Sequence, residues 1–220
     1  MTAAELKAEL TALAEPTYRN FTASLIPGEK DILGVRLPQL RRLARQAARQ
    51  NAQELFSTLR DEHGMEIIML RGMLPGYTRK ATLNDRLTAL KDFVPSIRNW
   101  SICDSCCATY LFMREHRREV LTFLRDYLSS DKEFHARFAV VCLLHHFVCD
   151  EEWAGEVAQQ LLRVQAEGYY ARMAVAWCAC ELLLRYPNTC PDLLSRLPED
   201  IQRLTLRKIR ESRRKPKPHN

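Results

Sequence analysis

Residues 99–107 read N-W-S-I-C-D-S-C-C. A tryptophan, a carboxylate and three thiols in one short stretch could serve metal binding, thiol redox chemistry, carboxylate catalysis beside an aromatic wall, or plain packing. Trp100 and Asp104 are four positions apart, so on a helix they share a face. Asn99 is a good N-cap residue and predicts that a helix starts there. The thiols argue against metal. Cys103 and Cys106 form one C-x-x-C, and a structural zinc needs a second ligand pair at suitable spacing. Cys178 and Cys180 form only C-x-C, and His145 and His146 are adjacent. Free cysteine is among the most buried residue types. We therefore expect no metal site, and thiols that pack behind Trp100 and Asp104. Arg137 and Trp177 follow at intervals of about one helical repeat, and could bring a guanidinium and a second indole to the same side.

These residues need elements to hold them. Leu6, Leu10 and Leu13 fall at helical spacing, as do Leu40, Leu43, Ala44 and Ala47. Ile67, Leu70 and Leu74, then Leu83, Leu87 and Leu90, then Val120, Leu121, Leu124 and Leu128 repeat the pattern. Each reads as an amphipathic helix. No sustained alternation and no Asn-Gly or Asp-Gly turn predicts a hairpin. Pro27, Pro38, Pro75, Pro95, Pro187, Pro191 and Pro198 mark helix boundaries. A-R-F-A-V at 136–140 returns as A-R-M-A-V at 171–175, a shift of 35 residues. A period near 35 to 45 in an all-helical chain reads as stacked helix pairs. The expected fold is all-α: a HEAT-like helical-repeat α-solenoid of five or six antiparallel helix pairs. One continuous domain should cover residues 1–211. A basic tail over 212–220, with two prolines and dense like charge, is expected to be disordered.

The chain has 220 residues and 46% hydrophobic content, enough for a sizeable core. Its 33 basic and 27 acidic residues give a net charge of +6, which permits a polyanionic partner without requiring one. No run of about 18 apolar residues is present, which excludes a spanning helix. The first residues, M-T-A-A-E-L-K, lack a signal-peptide core. The expected location is the cytoplasm, where thiols stay reduced.

Four segments together carry a resemblance: Leu33-Gly34-Val35-Arg36-Leu37-Pro38-Gln39-Leu40-Arg41-Arg42-Leu43-Ala44, Asn99–Asp104, Ala136–Ala139 and Tyr170–Trp177. In this order and spacing the chain resembles the AlkD-type DNA alkylation repair proteins from about residue 15 to 200. The resemblance implies a HEAT-like solenoid that excises alkylated purines from double-stranded DNA in the bacterial cytosol, at the nucleoid. It also implies roles. Trp100 and Trp177 resemble the indoles that pack on the lesion's deoxyribose, Asp104 the catalytic carboxylate, and Arg137 the arginine that holds backbone phosphate.

Those residue types suit the chemistry. An N3- or N7-alkylated purine is cationic and already a good leaving group, so no general acid is needed. The reaction needs a stabilised oxocarbenium-like sugar and an oriented water, both within a carboxylate's reach. Indole faces favour nearby positive charge. No cofactor is called for. Basic residues should contact phosphates without reading sequence: Lys30, Arg36, Arg41, Arg42, Arg79, Lys80, Arg98, Arg172, Arg207 and Lys208, the last two in a C-terminal cluster with Arg203 and Arg210. The expected state is a monomer. The segment Tyr18–Pro27 departs from the best-known glycosylase branch and keeps two other readings open: a non-catalytic binder of branched or damaged DNA, and a protein-interaction scaffold.

Overall fold

A computed structural model of the chain describes residues 1–213. The expected tail lies outside the described residues from position 214 on. Two compact units divide the chain, Met1–Phe112 and Met113–Asn220. Both are helical, and the described residues contain no strand.

The first unit holds α1 (Ala3–Ala12), α2 (Pro16–Leu25), α3 (Leu37–Thr58), α4 (Met65–Tyr77), α5 (Leu83–Phe93) and α6 (Trp100–Cys107). Helix α4 is its centre and packs on α3, α5 and α6. The sequence of α4 explains that position, because M-E-I-I-M-L-R-G-M-L-P is apolar on almost every side and every one of those residues is buried. Gly72 lets the neighbours close in: a Cβ there would lie 2.2 Å from Phe93 Cζ of α5 and 2.7 Å from Cys106 Sγ of α6. Pro75, expected at a boundary, sits inside the last turn of α4. Its own carbonyl accepts a 2.9 Å bond from Arg86 Nη1. Helix α3 kinks at Asn51, which has non-helical φ −155° and ψ 49°.

The second unit holds α7 (Arg117–Leu128), α8 (Glu133–His146), α9 (Ala154–Leu161), α10 (Tyr169–Arg185), the short α11 (Leu193–Arg196) and α12 (Glu199–Glu211). Helix α10 packs on α8, α9, α11 and α12, and α7 packs on α8. The two copies of the repeated pentapeptide lie in α8 and α10, which pack on each other. Ala136 and Ala171, the alanine of each copy, are both fully buried in one cluster with Ala166. Small side chains there let the helices approach closely. Helices packed in contacting pairs along the chain make this a helical-repeat architecture.

Candidate functional site

Helix α6 begins as its sequence predicts. Asn99 has extended backbone, and its Oδ1 accepts the Ile102 N–H at 2.9 Å. Its amide nitrogen donates to Glu29 Oε2 at 2.7 Å. Arg98 reaches the same carboxylate through Nε at 2.9 Å and Nη2 at 2.7 Å. Nη2 of Arg98 also donates to the His63 carbonyl at 2.7 Å. Burial pushes the Glu29 carboxyl up, but the bond and charge of Arg98, with the Asn99 bond, outweigh it and hold the group below its ordinary value. A network of charge-assisted bonds thus fixes where α6 starts.

The two faces of α6 then separate. Ile102, Cys103, Cys106 and Cys107 are buried, while Trp100, Ser101, Asp104 and Ser105 form a half-buried stripe. Cys106 Sγ donates to the Met69 carbonyl of α4, and burial raises its pKa strongly. The thiols of this stretch therefore face the core. Trp100 and Asp104 share the other face, one turn apart. Trp100 Nε1 points to the carbonyl of Leu25 at 3.4 Å, at the end of α2. Of the remaining cysteines, Cys142, Cys178, Cys180 and Cys190 are buried, and Cys149 lies exposed just beyond α8.

Helix α2 has an unusual attachment. Thr22 is its only buried residue, and Phe21 and Leu25 are exposed. Polar ties hold it. The Glu15 N–H donates to the Gly34 carbonyl at 3.1 Å. Arg36 grips the Glu15 carboxylate at 2.9 Å and lies over the Tyr18 ring at 4.8 Å. Gly34 has φ +89°, and a Cβ there would meet the Glu15 carbonyl oxygen at 2.5 Å, so only glycine fits. Buried Glu66, in the first turn of α4, accepts the N–H groups of Leu33, Gly34 and Val35 at 3.0, 2.7 and 3.2 Å.

In the second unit, Arg137 is 5% exposed and its Nη1 donates to the Tyr170 carbonyl at 2.7 Å. Glu133, one turn earlier on α8, accepts the N–H of the same Tyr170 at 2.5 Å. Helix α8 therefore grips both backbone polar groups at the opening of α10, and Phe134 stacks on the Tyr170 ring at 5.6 Å. Gly168 makes room, since a Cβ there would fall 2.4 Å from Glu133 Cδ. Trp177 follows two turns along α10, half-buried, with its ring set edgewise to His145 at 6.2 Å.

A family model of DNA alkylation repair enzymes matches residues 6–186. The chain belongs to the DNA alkylation repair enzyme family. Neither the curated proteins nor the solved structures contain a match to it. A role in alkylation repair of DNA follows from membership.

Within this DNA alkylation repair enzyme, the residues named for chemistry divide between the units: Trp100 and Asp104 in the first, Arg137 and Trp177 in the second. The basic residues divide by pairing. Arg36 is tied to Glu15, Arg98 to Glu29, Arg172 to Asp200 at 2.8 Å and Arg207 to Glu211 at 2.8 Å. Lys30, Arg42, Arg79 and Lys80 are exposed, and Arg41 and Lys208 half-buried. Among the described residues none of these six is in an ion pair. Arg41 Nε is buried without a hydrogen-bond partner. Arg172 and Arg207 line one cavity of the second unit, whereas Lys80 lines a cleft of the first between α3 and α5. No helix among the described residues is long and apolar enough to cross a membrane.

Sequence reasoning missed Glu29, Glu66 and Glu133, the carboxylates that fix the openings around these residues. For Glu133 a signal existed. Aligning the two repeat copies sets Glu133 against Gly168, a mismatch at the point where the two copies touch.

Proposed function

We propose that the protein is a monofunctional DNA glycosylase that hydrolyses the N-glycosidic bond of cationic N3- and N7-alkylated purines in double-stranded DNA. The observation that carries this reading is the placement of Asp104 one turn after Trp100 on the half-buried face of α6, a helix whose start is fixed by Asn99, Glu29 and Arg98. A carboxylate held on a rigid helix costs no reorganisation as sugar charge develops.

In the proposed reaction the alkylated base leaves with the electrons of the C1′–N bond and becomes neutral. Asp104 stabilises the positive charge that develops on the sugar. It orients a water whose oxygen bonds to C1′, and accepts the proton the water gives up. Trp100 and Trp177 present electron-rich faces to the cationic sugar. Arg137, anchored to the Tyr170 carbonyl, supplies positive charge for a backbone phosphate. Lys30, Arg41, Arg42, Arg79, Lys80 and Lys208 supply further phosphate contacts, with Arg36, Arg98, Arg172 and Arg207 acting through guanidinium groups already fixed by a carboxylate.

The test is release of free base from duplex DNA carrying N7-methylguanine or N3-methyladenine. Wild-type protein should release both. Asp104→Asn should slow single-turnover release by about a hundredfold or more, the order of effect expected for a lost electrostatic stabiliser. Equal release by both proteins would remove Asp104 from the mechanism. Salt-sensitive DNA binding without release by wild type would replace the glycosylase with a non-catalytic binder.

A further inference from the structure

A cavity of about 530 Å³ opens between the start of α10 and α12. Tyr169, Arg172, Arg203, Leu204, Arg207 and Arg210 line it. Its size falls in the range of small-ligand sites, roughly 300–1,000 Å³. Its chemistry is not that of a simple phosphate track. Arg172 and Arg207 are each bound to a carboxylate at 2.8 Å, Asp200 and Glu211 respectively, so much of their charge is compensated. Glu167 also lines the cavity. A guanidinium held in place by a carboxylate still offers a flat face.

Tyr169 is the second unusual feature. It is 61% exposed, the highest value among the exposed large hydrophobic residues. It is nevertheless braced: its ring stands edgewise on Tyr170 at 5.3 Å, and Tyr170 stacks on Phe134. Tyr170 is itself pinned at both backbone groups by Glu133 and Arg137. Aromatic and guanidinium faces beside two further arginines, Arg210 and an Arg203 held only loosely by Glu199 at 3.8 Å on the exposed surface, are what an unstacked nucleotide requires. The planes take the base and the arginines take its phosphates. The interior pairs of duplex DNA cannot use this ring, because both of their base faces are stacked inside the helix.

We propose that this cavity binds an unpaired nucleotide of single-stranded DNA adjoining the duplex, with the base stacked on Tyr169. The proposal rests on the reading of the protein as one that binds DNA. It adds a preference for duplexes with a single-stranded extension.

The experiment compares a blunt duplex with the same duplex carrying a short thymine overhang, by fluorescence anisotropy on the full chain. The overhang should tighten binding by about tenfold, the order expected for one stacked base. Tyr169→Ala should erase that gain and leave blunt-duplex affinity and base release unchanged. Tyr169→Phe, which keeps the ring, should retain it. A 2-aminopurine placed in the overhang should be quenched by wild type and by Tyr169→Phe but not by Tyr169→Ala. Equal affinity for both DNAs, or equal weakening of both by Tyr169→Ala, overturns the inference and leaves the glycosylase reading standing. If wild type binds neither DNA and releases no base, both fall together.

Discussion

Helix α8 opens α10, and α10 opens α12, with the same pentapeptide doing different things. In both copies the arginine reaches the second residue of the helix after next: Arg137 of α8 reaches Tyr170 of α10, and Arg172 of α10 reaches Asp200 of α12. Arg137 is buried and takes a backbone carbonyl, and Glu133 takes the N–H beside it. The side chain of Arg172 is 37% exposed and takes a carboxylate, and the position equivalent to Glu133 is Gly168. One junction is a double clamp on the main chain; the other is a single ion pair at the surface. Local sequence thus sets the reach of the arginine, and burial sets how strongly the contact holds.

The largest expected effect tests that contrast. Arg137→Ala removes a buried guanidinium, its bond to the Tyr170 carbonyl and the packing of its stem, so urea unfolding should register a loss of about 3 kcal/mol. Arg137→Lys should recover little, because a point charge cannot reproduce a planar fork. Next comes Gly168→Ala, which forces Glu133 aside and should cost about 1–3 kcal/mol. In a Glu133→Ala background the same change should cost much less, and a double-mutant cycle measures the coupling. Additive costs would show that Glu133 and Gly168 do not share one clamp.

A pH series examines the opening of α6. Glu29 is held below its ordinary value of 4.5, so its contribution is full above that value and is lost as pH falls through the lowered one. Acid unfolding should therefore be steeper for wild type than for Glu29→Gln, which lacks that titration; coincident curves would sink the role of Glu29. The smallest effect belongs to Arg172→Gln. A partly exposed pair should contribute at most about 1 kcal/mol, and less at high salt. A loss comparable to that of Arg137→Ala would break the contrast between the junctions.

Much of this was legible in the sequence. Apolar spacing placed the helices, Asn99 placed the start of α6, and the repeated pentapeptide identified two helices that touch. The pairing of Trp100 with Asp104 followed from helical period alone. Partners far along the chain were not legible. Arg36 meets a carboxylate 21 residues away, Arg172 one 28 residues away and Arg98 one 69 residues away. Periodicity describes a helix's own faces, whereas an ion pair depends on which other helix arrives. The inclusion of the buried Pro75 within α4 was hidden for the same reason, since tertiary packing overrides local preference, and no break in the apolar period marks the kink at Asn51.

Helix α2 behaves like a plank resting on two piers. One pier is the 33–35 turn, bolted to α4 by Glu66; the other is the indole of Trp100 on α6. Since α4 and α6 also pack on each other, the load path closes into a loop. The plank itself puts only Thr22 into the core, and its far end, at Leu25, rests on Trp100, the residue one turn before the carboxylate that the proposed chemistry uses.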